Sequence, residues 1–170
     1  LTKWVRESNI VKTSIPAWYS HKAEMKLDDS DTLNVQRKVS LAVGFDAGGR
    51  IENIGFCGVP QKVGETYNFY MFAKSEKPMK LQLIVGNEND ICAELEIHSV
   101  EYQCYRASYT AKKNCKDGKF YLLSPEGGEL HIGFISLMPA ETFRGHGLRR
   151  DIAEMLENIH PSFLRFPGGC

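Results

Sequence analysis

The sequence predicts a mainly β protein, an antiparallel β-sandwich or jelly roll, followed by a single amphipathic helix. Up to about residue 137, short segments alternate apolar with polar residues, and turn residues separate them at regular intervals. After Pro139 the apolar spacing changes to that of a helix. The 170 residues are 42% hydrophobic and 25% charged, which is the balance of a globular protein rather than of a disordered one.

The strand pattern recurs along the first part of the chain. Period-two alternation or aromatic and β-branched enrichment is found at 65–73, 79–85, 91–98, 105–109, 119–123 and 130–137. Asp117-Gly118 predicts a tight turn before residue 119, and 45–50 carries a turn signal between two apolar runs. Because no helical pattern separates these strands, an antiparallel sandwich is favoured over a parallel sheet.

One helix is predicted near the end of the chain. Its apolar stripe consists of Leu148, Ile152, Met155, Leu156 and Ile159, and Pro161 marks its end. A short strand over 163–166 and a Pro-Gly-Gly loop follow. A bare helix and one strand do not make a domain, so we expect residues 1–138 to form the sandwich and 139–170 to be the truncated start of an α/β barrel.

Charge and cysteine usage exclude several kinds of partner. Lys and Arg total 21, as do Asp and Glu, so no net charge attracts nucleic acid or an anionic membrane. No run of about 18 apolar residues predicts a membrane span. The five cysteines are odd in number and form no CxxC pair, so we expect buried free thiols rather than a metal site, and we predict no cofactor.

A long ordered segment near the C-terminus identifies a resemblance. Residues 135–154, ISLMPAETFRGHGLRRDIAE, and 164–170, LRFPGGC, resemble consecutive parts of family 51 glycoside hydrolases, the α-L-arabinofuranosidases. Residues 51–60, IENIGFCGVP, and the segments 63–67 and 72–75 resemble the sandwich inserted near the start of that family's barrel. The resemblance covers most of the chain after about residue 30.

The resemblance implies both a fold and a function. The sandwich would be a jelly roll similar to carbohydrate-binding modules and galactose-binding domains, and the helix and strand would be left over from a TIM barrel. The parent would be a retaining enzyme that removes terminal α-L-arabinofuranosyl groups from arabinan or arabinoxylan, with two catalytic glutamates on later barrel strands. This chain would contain neither glutamate, so it would be an accessory domain, inactive alone and with no catalytic residues. A secreted or periplasmic setting is favoured.

Three residues are candidates for contact with an arabinose-containing polysaccharide. The resemblance implies that Cys170 is a remnant of the barrel's sugar subsite. Trp18 and Tyr19 follow a proline and precede a charged stretch, so they are candidates for stacking on a sugar ring, with packing in the core or at an edge as the alternative. Such stacking would make the sandwich a genuine carbohydrate-binding module.

Two further features have a simpler interpretation than function. Asn87-Glu88 looks like the acid/base pair of such barrels, but it lies between two predicted strands and is interpreted as a hairpin turn. The run Asp28–Asp31 offers oxygen ligands without the spacing of a calcium loop, so a solvated turn is favoured. The uncovered helix stripe predicts a possible third role, a homodimer that buries it.

Overall fold

Eight antiparallel strands form one folded sheet in the described part of this computed structural model, residues 15–87 and 90–163. The strands are β1 Trp18–Asp28, β2 Ser40–Asn53, β3 Thr66–Lys74, β4 Met79–Gly86, β5 Ile91–Ile97, β6 Gln103–Thr110, β7 Lys119–Ser124 and β8 Gly128–Pro139. A short 3₁₀ turn, Phe143–Gly145, and the helix α1, Arg150–Ile159, follow.

The longest strand, β2, determines how the sheet is folded. Its first half pairs with β8 and its second half pairs with β7, and the register continues unchanged from one to the other. On its other edge β1 pairs with both halves, with one irregularity between His21 and Ala23. Three adjacent rows of the sheet therefore run through both of its halves and bend in the middle. They are β1, β2, and the row in which β7 and β8 follow each other along β2.

The bend divides the sheet into two leaves that face each other. The first leaf contains β5, β4, β7 and the second half of β2, and the second leaf contains the first half of β2, β8, β3 and β6. Phe69 on β3 stacks on Phe120 of β7 with 5.9 Å between the ring centroids, so the leaves meet across a shared core. The predicted antiparallel β-sandwich is confirmed.

A glycine pair permits the bend within β2. Gly48 has a φ of 72°, and its N–H donates to the carbonyl of Pro125 at 3.1 Å. A Cβ on Gly49 would lie 2.2 Å from the carbonyl oxygen of Lys22 on β1, so only glycine lets the two strands approach this closely. The turn signal at 45–50 predicts a turn between two strands, but these residues form the bend within one continuous strand.

Alternation along the strands places the core between the leaves. On β3, Tyr67, Phe69, Met71 and Ala73 are buried, and the residues between them are on the outer face. The same period buries Met79, Leu81, Leu83 and Val85 on β4, as the sequence predicts. The cysteine prediction is wrong in part: the described thiols are free, but Cys57 is exposed and Cys92, Cys104 and Cys115 are only half-buried.

The C-terminal helix forms as predicted, but it packs against little. None of its residues is buried, and the exposed hydrophobic side chains in this part of the chain are Leu148, Ile152, Met155, Leu156, Ile159 and Phe163. Most of the strand predicted at 163–166, the Pro-Gly-Gly loop and Cys170 lie outside the described residues. No described helix has the length and apolar character needed to cross a membrane.

Candidate ligand-binding surfaces

The two aromatic residues singled out in the sequence begin β1 instead of standing in a loop. Both Trp18 and Tyr19 are half-buried. The Trp18 ring meets Phe120 edge-on at 6.0 Å between centroids and packs against the core. Since neighbouring strand residues point to opposite faces, Tyr19 is left on the outer side of the sheet. The contact with Phe120 favours the packing alternative for Trp18.

A cluster of aromatic rings that sequence reasoning missed lies on the outer side of the second leaf. It consists of Tyr70 and Phe72 on β3 and Phe134 on β8, and we call it the aromatic face. The Tyr70 centroid lies 5.6 Å from that of Phe134 and 6.3 Å from that of Phe72. The three rings are half-buried, so part of each is accessible.

Two arginines flank the aromatic face. The guanidinium carbon of Arg37 lies 4.4 Å from the Phe134 ring centroid, and that of Arg106 lies 5.3 Å from the Tyr70 centroid. Both arginines are exposed, so each guanidinium keeps N–H donors for a ligand while its flat side covers an aromatic ring. Rings that stack beside planar donors are the combination that binds a sugar ring and its hydroxyl groups.

The aromatic face is continuous with a polar cluster at the end of β3. Asp28, Asp31, Lys74 and His131 form this cluster, which we call the acid–histidine cluster. The Lys74 ammonium lies 2.7 Å from an Asp31 carboxylate oxygen, and His131 Nδ1 lies 3.4 Å from the same oxygen and 3.9 Å from Asp28 Oδ2. The predicted turn at Asp28–Asp31 forms, with the Asp28 carboxylate accepting from the backbone and hydroxyl of Ser30.

Hydrogen bonds in the acid–histidine cluster stabilise the charged forms of Asp28 and Lys74. The Ser30 hydroxyl and then its N–H lower the pKa of Asp28, while the hydrogen bond from Lys74 to Asp31 raises the pKa of Lys74. One atom from each of Asp28, Asp31 and His131 lies within 4.8 Å of the others, an arrangement that could hold a cation. However, the Lys74 ammonium already neutralises Asp31, which weakens the case for a metal ion there.

Comparison with known proteins relates this chain to a class of glycosidases. Over 169 residues it is 28% identical to an extracellular exo-α-L-arabinofuranosidase of Streptomyces chartreusis, covering 96% of this chain and 20% of that protein. The chain is similar to α-L-arabinofuranosidases. It is also 28% identical over 135 residues to α-L-arabinofuranosidase 1 of Arabidopsis thaliana, covering 75% of this chain and 20% of that protein. The predicted resemblance is confirmed, although no family model matches.

These matches cover only part of each relative. The chain spans about a fifth of the length of the curated relatives it matches. The similarity therefore concerns one region of each relative and not its whole length.

Solved structures with the same fold include carbohydrate-binding modules. The CBM22-1 xylan-binding domain from Paenibacillus barcinonensis Xyn10C superposes with a TM-score of 0.55 at 12% identity, covering 75% of this chain and 88% of that domain. The N-terminal cellulose-binding domain of Cellulomonas fimi β-1,4-glucanase C gives 0.53 at 15% identity, covering 75% and 91%. At these identities the likeness establishes the fold, a carbohydrate-binding-module-like β-sandwich.

Proposed function

We propose that this chain is an accessory, non-catalytic sandwich region of an α-L-arabinofuranosidase that removes terminal α-L-arabinofuranosyl residues from arabinan or arabinoxylan. The observation that carries the proposal is the match over 96% of the chain to a relative of which it spans 20%, combined with the sandwich fold. Its partner would be the arabinose-containing polysaccharide on which the parent acts.

The chemistry of the described carboxylates supports the non-catalytic assignment. A retaining glycosidase needs a nucleophile and a general acid whose pKa is raised toward neutrality. Asp28 and Asp31, whose carboxylates lie within 4.8 Å of each other, have the opposite character, because hydrogen bonds from Ser30 lower the pKa of Asp28 and Lys74 forms an ion pair with Asp31. Neither group is suited to deliver a proton to a leaving group.

A chimera tests the accessory role. In the Streptomyces chartreusis enzyme, the matching region would be replaced by this chain, and hydrolysis of an aryl α-L-arabinofuranoside would be compared with that of the intact enzyme and of a deletion variant. We expect the chimera to regain most of the activity that the deletion loses. A chimera as inactive as the deletion would contradict the proposal. The chain alone should not hydrolyse the arabinoside.

The C-terminal segment is assigned to the catalytic barrel under the same proposal. Residues 139–170 would form its first part, and the barrel would cover the stripe that α1 exposes. The exposed fractions of Ile152, Met155 and Ile159, 46%, 65% and 65%, support a missing packing partner. A second copy of the chain would cover the same stripe in a homodimer.

Direct binding of polysaccharide is the second candidate function, and the aromatic face favours it. Tyr70 and Phe134 would stack on sugar rings while Arg37 and Arg106 donate to hydroxyl groups. Tyr19 on the outer side of β1, or the exposed part of Trp18 on the opposite side, is the alternative stacking site. Calorimetric titration with arabinan and arabinoxylan oligosaccharides distinguishes them.

The variants for that titration separate the two platforms. We expect Tyr70→Ala with Phe134→Ala to weaken binding, and Phe56→Ala, which removes a 76% exposed ring in the loop after β2, to leave it unchanged. Loss of binding in Trp18→Ala or Tyr19→Ala instead would move the site to β1. Without saturable binding in the wild-type chain, the accessory role would stand alone.

A further inference from the structure

A polar cleft opens between the two leaves at the end of the sandwich, away from the aromatic face. We call it the end cleft. The first leaf contributes the end of β4 and the start of β5, and the second leaf contributes the end of β6 and the residues that follow it. Its volume is about 540 Å³, within the range of sites for small ligands. Side chains that line it include Gln61, Asn87, Asp90, Cys92, Tyr109 and Asn114.

Tyr109 in the wall of the end cleft has a polar group that the fold leaves unused. Its ring stacks on Tyr67 at 5.5 Å between centroids, and the residue is only 8% exposed. The Tyr109 hydroxyl is enclosed and has no hydrogen-bond partner among the described residues. The Tyr67 hydroxyl, by contrast, accepts from Lys62 N and donates to Glu65. A buried hydroxyl without a partner is unfavourable and gains from any ligand that can reach it.

Neutral polar groups line the end cleft together with Tyr109. Asn114 accepts from the backbone N–H of Val63 through Oδ1 at 2.9 Å, which leaves its NH₂ group as a donor. A Cβ on Gly86 would come within 2.8 Å of Gln61 Nε2, so glycine keeps the space that the Gln61 amide occupies. Burial raises the pKa of the Tyr109 hydroxyl, which is therefore an uncharged donor and acceptor.

The charges at the cleft balance each other in large part. Asp90 forms an ion pair with Lys113 at 3.6 Å, leaving Lys112 as the remaining lysine in the lining. Amide donors, a tyrosine hydroxyl beside stacked rings and a neutralised carboxylate are suited to a ligand rich in hydroxyl groups and without strong charge. Among ligands of that size, a sugar ring has this chemistry.

We infer that the end cleft is a saccharide site that holds one or two neutral sugar units, with the Tyr109 hydroxyl as a buried hydrogen-bonding group. This inference rests on the proposed contact with polysaccharide and adds a second contact site, distinct from the aromatic face. In the occupied site the Gln61, Asn87 and Asn114 amides bind sugar hydroxyl groups at the surface of the cleft. The lining moves aside so that one sugar hydroxyl reaches the enclosed Tyr109 hydroxyl and exchanges a hydrogen bond with it.

An NMR titration of the full chain tests the site. The backbone amide shifts would be followed while arabinotriose, xylotriose or cellotriose is added at millimolar concentration. We expect shift changes to concentrate at 85–87, 90–92 and 108–115, and Tyr109→Phe to weaken binding about tenfold, the value of one hydrogen bond. Because the hydroxyl has no partner in the fold, the same variant should unfold at an unchanged or higher temperature.

Tyr105→Phe is the matched control. Tyr105 lies on the same strand with the same 8% exposure, but its hydroxyl accepts from His98 N at 3.3 Å. We expect this variant to lower the unfolding temperature and leave saccharide affinity unchanged. Equal affinity in Tyr109→Phe and wild type, with shift changes at the aromatic face, would overturn the end-cleft site and leave polysaccharide binding standing. No shift change with any saccharide would overturn both, while the chimera still decides the accessory role.

Discussion

The sandwich and the C-terminal helix are equally well patterned in sequence, yet they differ in what their apolar residues contact. In the sandwich, Phe69, Leu81 and Leu122 are at most 1% exposed, since each leaf covers the other. In α1, Ile152, Met155 and Ile159 lie at ideal helical spacing, and each is at least 46% exposed. An apolar pattern therefore predicts an element and its inner face, but not whether the partner of that face is in the same chain.

The largest predicted effect contrasts an apolar side chain from each region. Phe69→Ala should lower the free energy of unfolding by about 3–5 kcal/mol, because it removes a fully buried ring and leaves a cavity beside Phe120. Ile152→Ala, at an exposed position, should change it by less than about 0.5 kcal/mol. Urea unfolding measures both. A loss at Ile152 comparable to that at Phe69 would mean that α1 is part of the sandwich's folding unit.

A second contrast lies within β2 and concerns the bend that joins the leaves. Gly49→Ala should cost about 1–3 kcal/mol, because its Cβ would clash with the backbone of Lys22 and Asp46. Gly44→Ala, in the same strand with no atom within 4 Å of the new Cβ, should be neutral. Thermal unfolding of both variants provides the comparison. Equal behaviour would show that the strands can separate at the bend without loss.

A third prediction concerns what covers the helix when the chain is alone. We expect the chain to form dimers at high concentration through the stripe on α1, and Ile152→Asp to weaken dimerisation by at least about tenfold. Sedimentation equilibrium measures the change in mass. Glu157→Gln, on the polar side of the same helix, is the control and should dimerise like the wild type. A monomeric wild-type chain would leave the catalytic barrel as the proposed partner of the stripe.

The smallest predicted effect is a pH dependence of stability, and it should differ between the sandwich and α1. The folded-state pKa of Asp28 is lowered below 3.8 by Ser30, so its contribution to stability is present above that pH and is lost as the pH falls through the lower folded value. Ser30→Ala should reduce this acid-range loss. Asp151 is lowered in the same direction by Arg149 at the start of α1. Helical ellipticity should report its protonation separately from unfolding of the sandwich; coincident curves would contradict two independent regions.

Much of the fold was predictable, because alternation and turn residues are local properties of the chain. At the predicted hairpin between β4 and β5, Asp90 N donates to the Asn87 carbonyl, while Glu88 and Asn89 lie outside the described residues. The bend at Gly48 and Gly49 could not be told from a turn by sequence, because glycine pairs are found in turns as well as in bent strands. Only the close approach of Lys22 to Gly49 in the structure distinguishes the bend from a turn.

The candidate sites were harder to predict than the strands. Tyr70, Phe72 and Phe134 come together only through the pairing of β3 with β8, and sequence gives no strand order. The absence of a hydrogen-bond partner for the Tyr109 hydroxyl likewise depends on the tertiary structure. Tyr105 occupies an equivalent inward position on the same strand, but its hydroxyl accepts from His98 N. The aromatic-rich segment 65–73 indicates a strand with large side chains on both faces. Which of its aromatic residues lie on the outer face follows only once the alternate residues are assigned to the core.

The pairing of β2 with β7 and β8 also governs when this protein can fold. On one edge β2 pairs with the nearby β1, but on the other edge residues 40–53 pair with 119–132, so the centre of the sheet depends on contacts between distant parts of the chain. Forming such contacts requires closing long loops first, which places the sandwich among slowly folding topologies. During synthesis, β1 and β2 emerge from the ribosome long before the strands that cover them. The nascent sandwich therefore exposes apolar strands, the kind of surface that chaperones cover, until β8 has been synthesised.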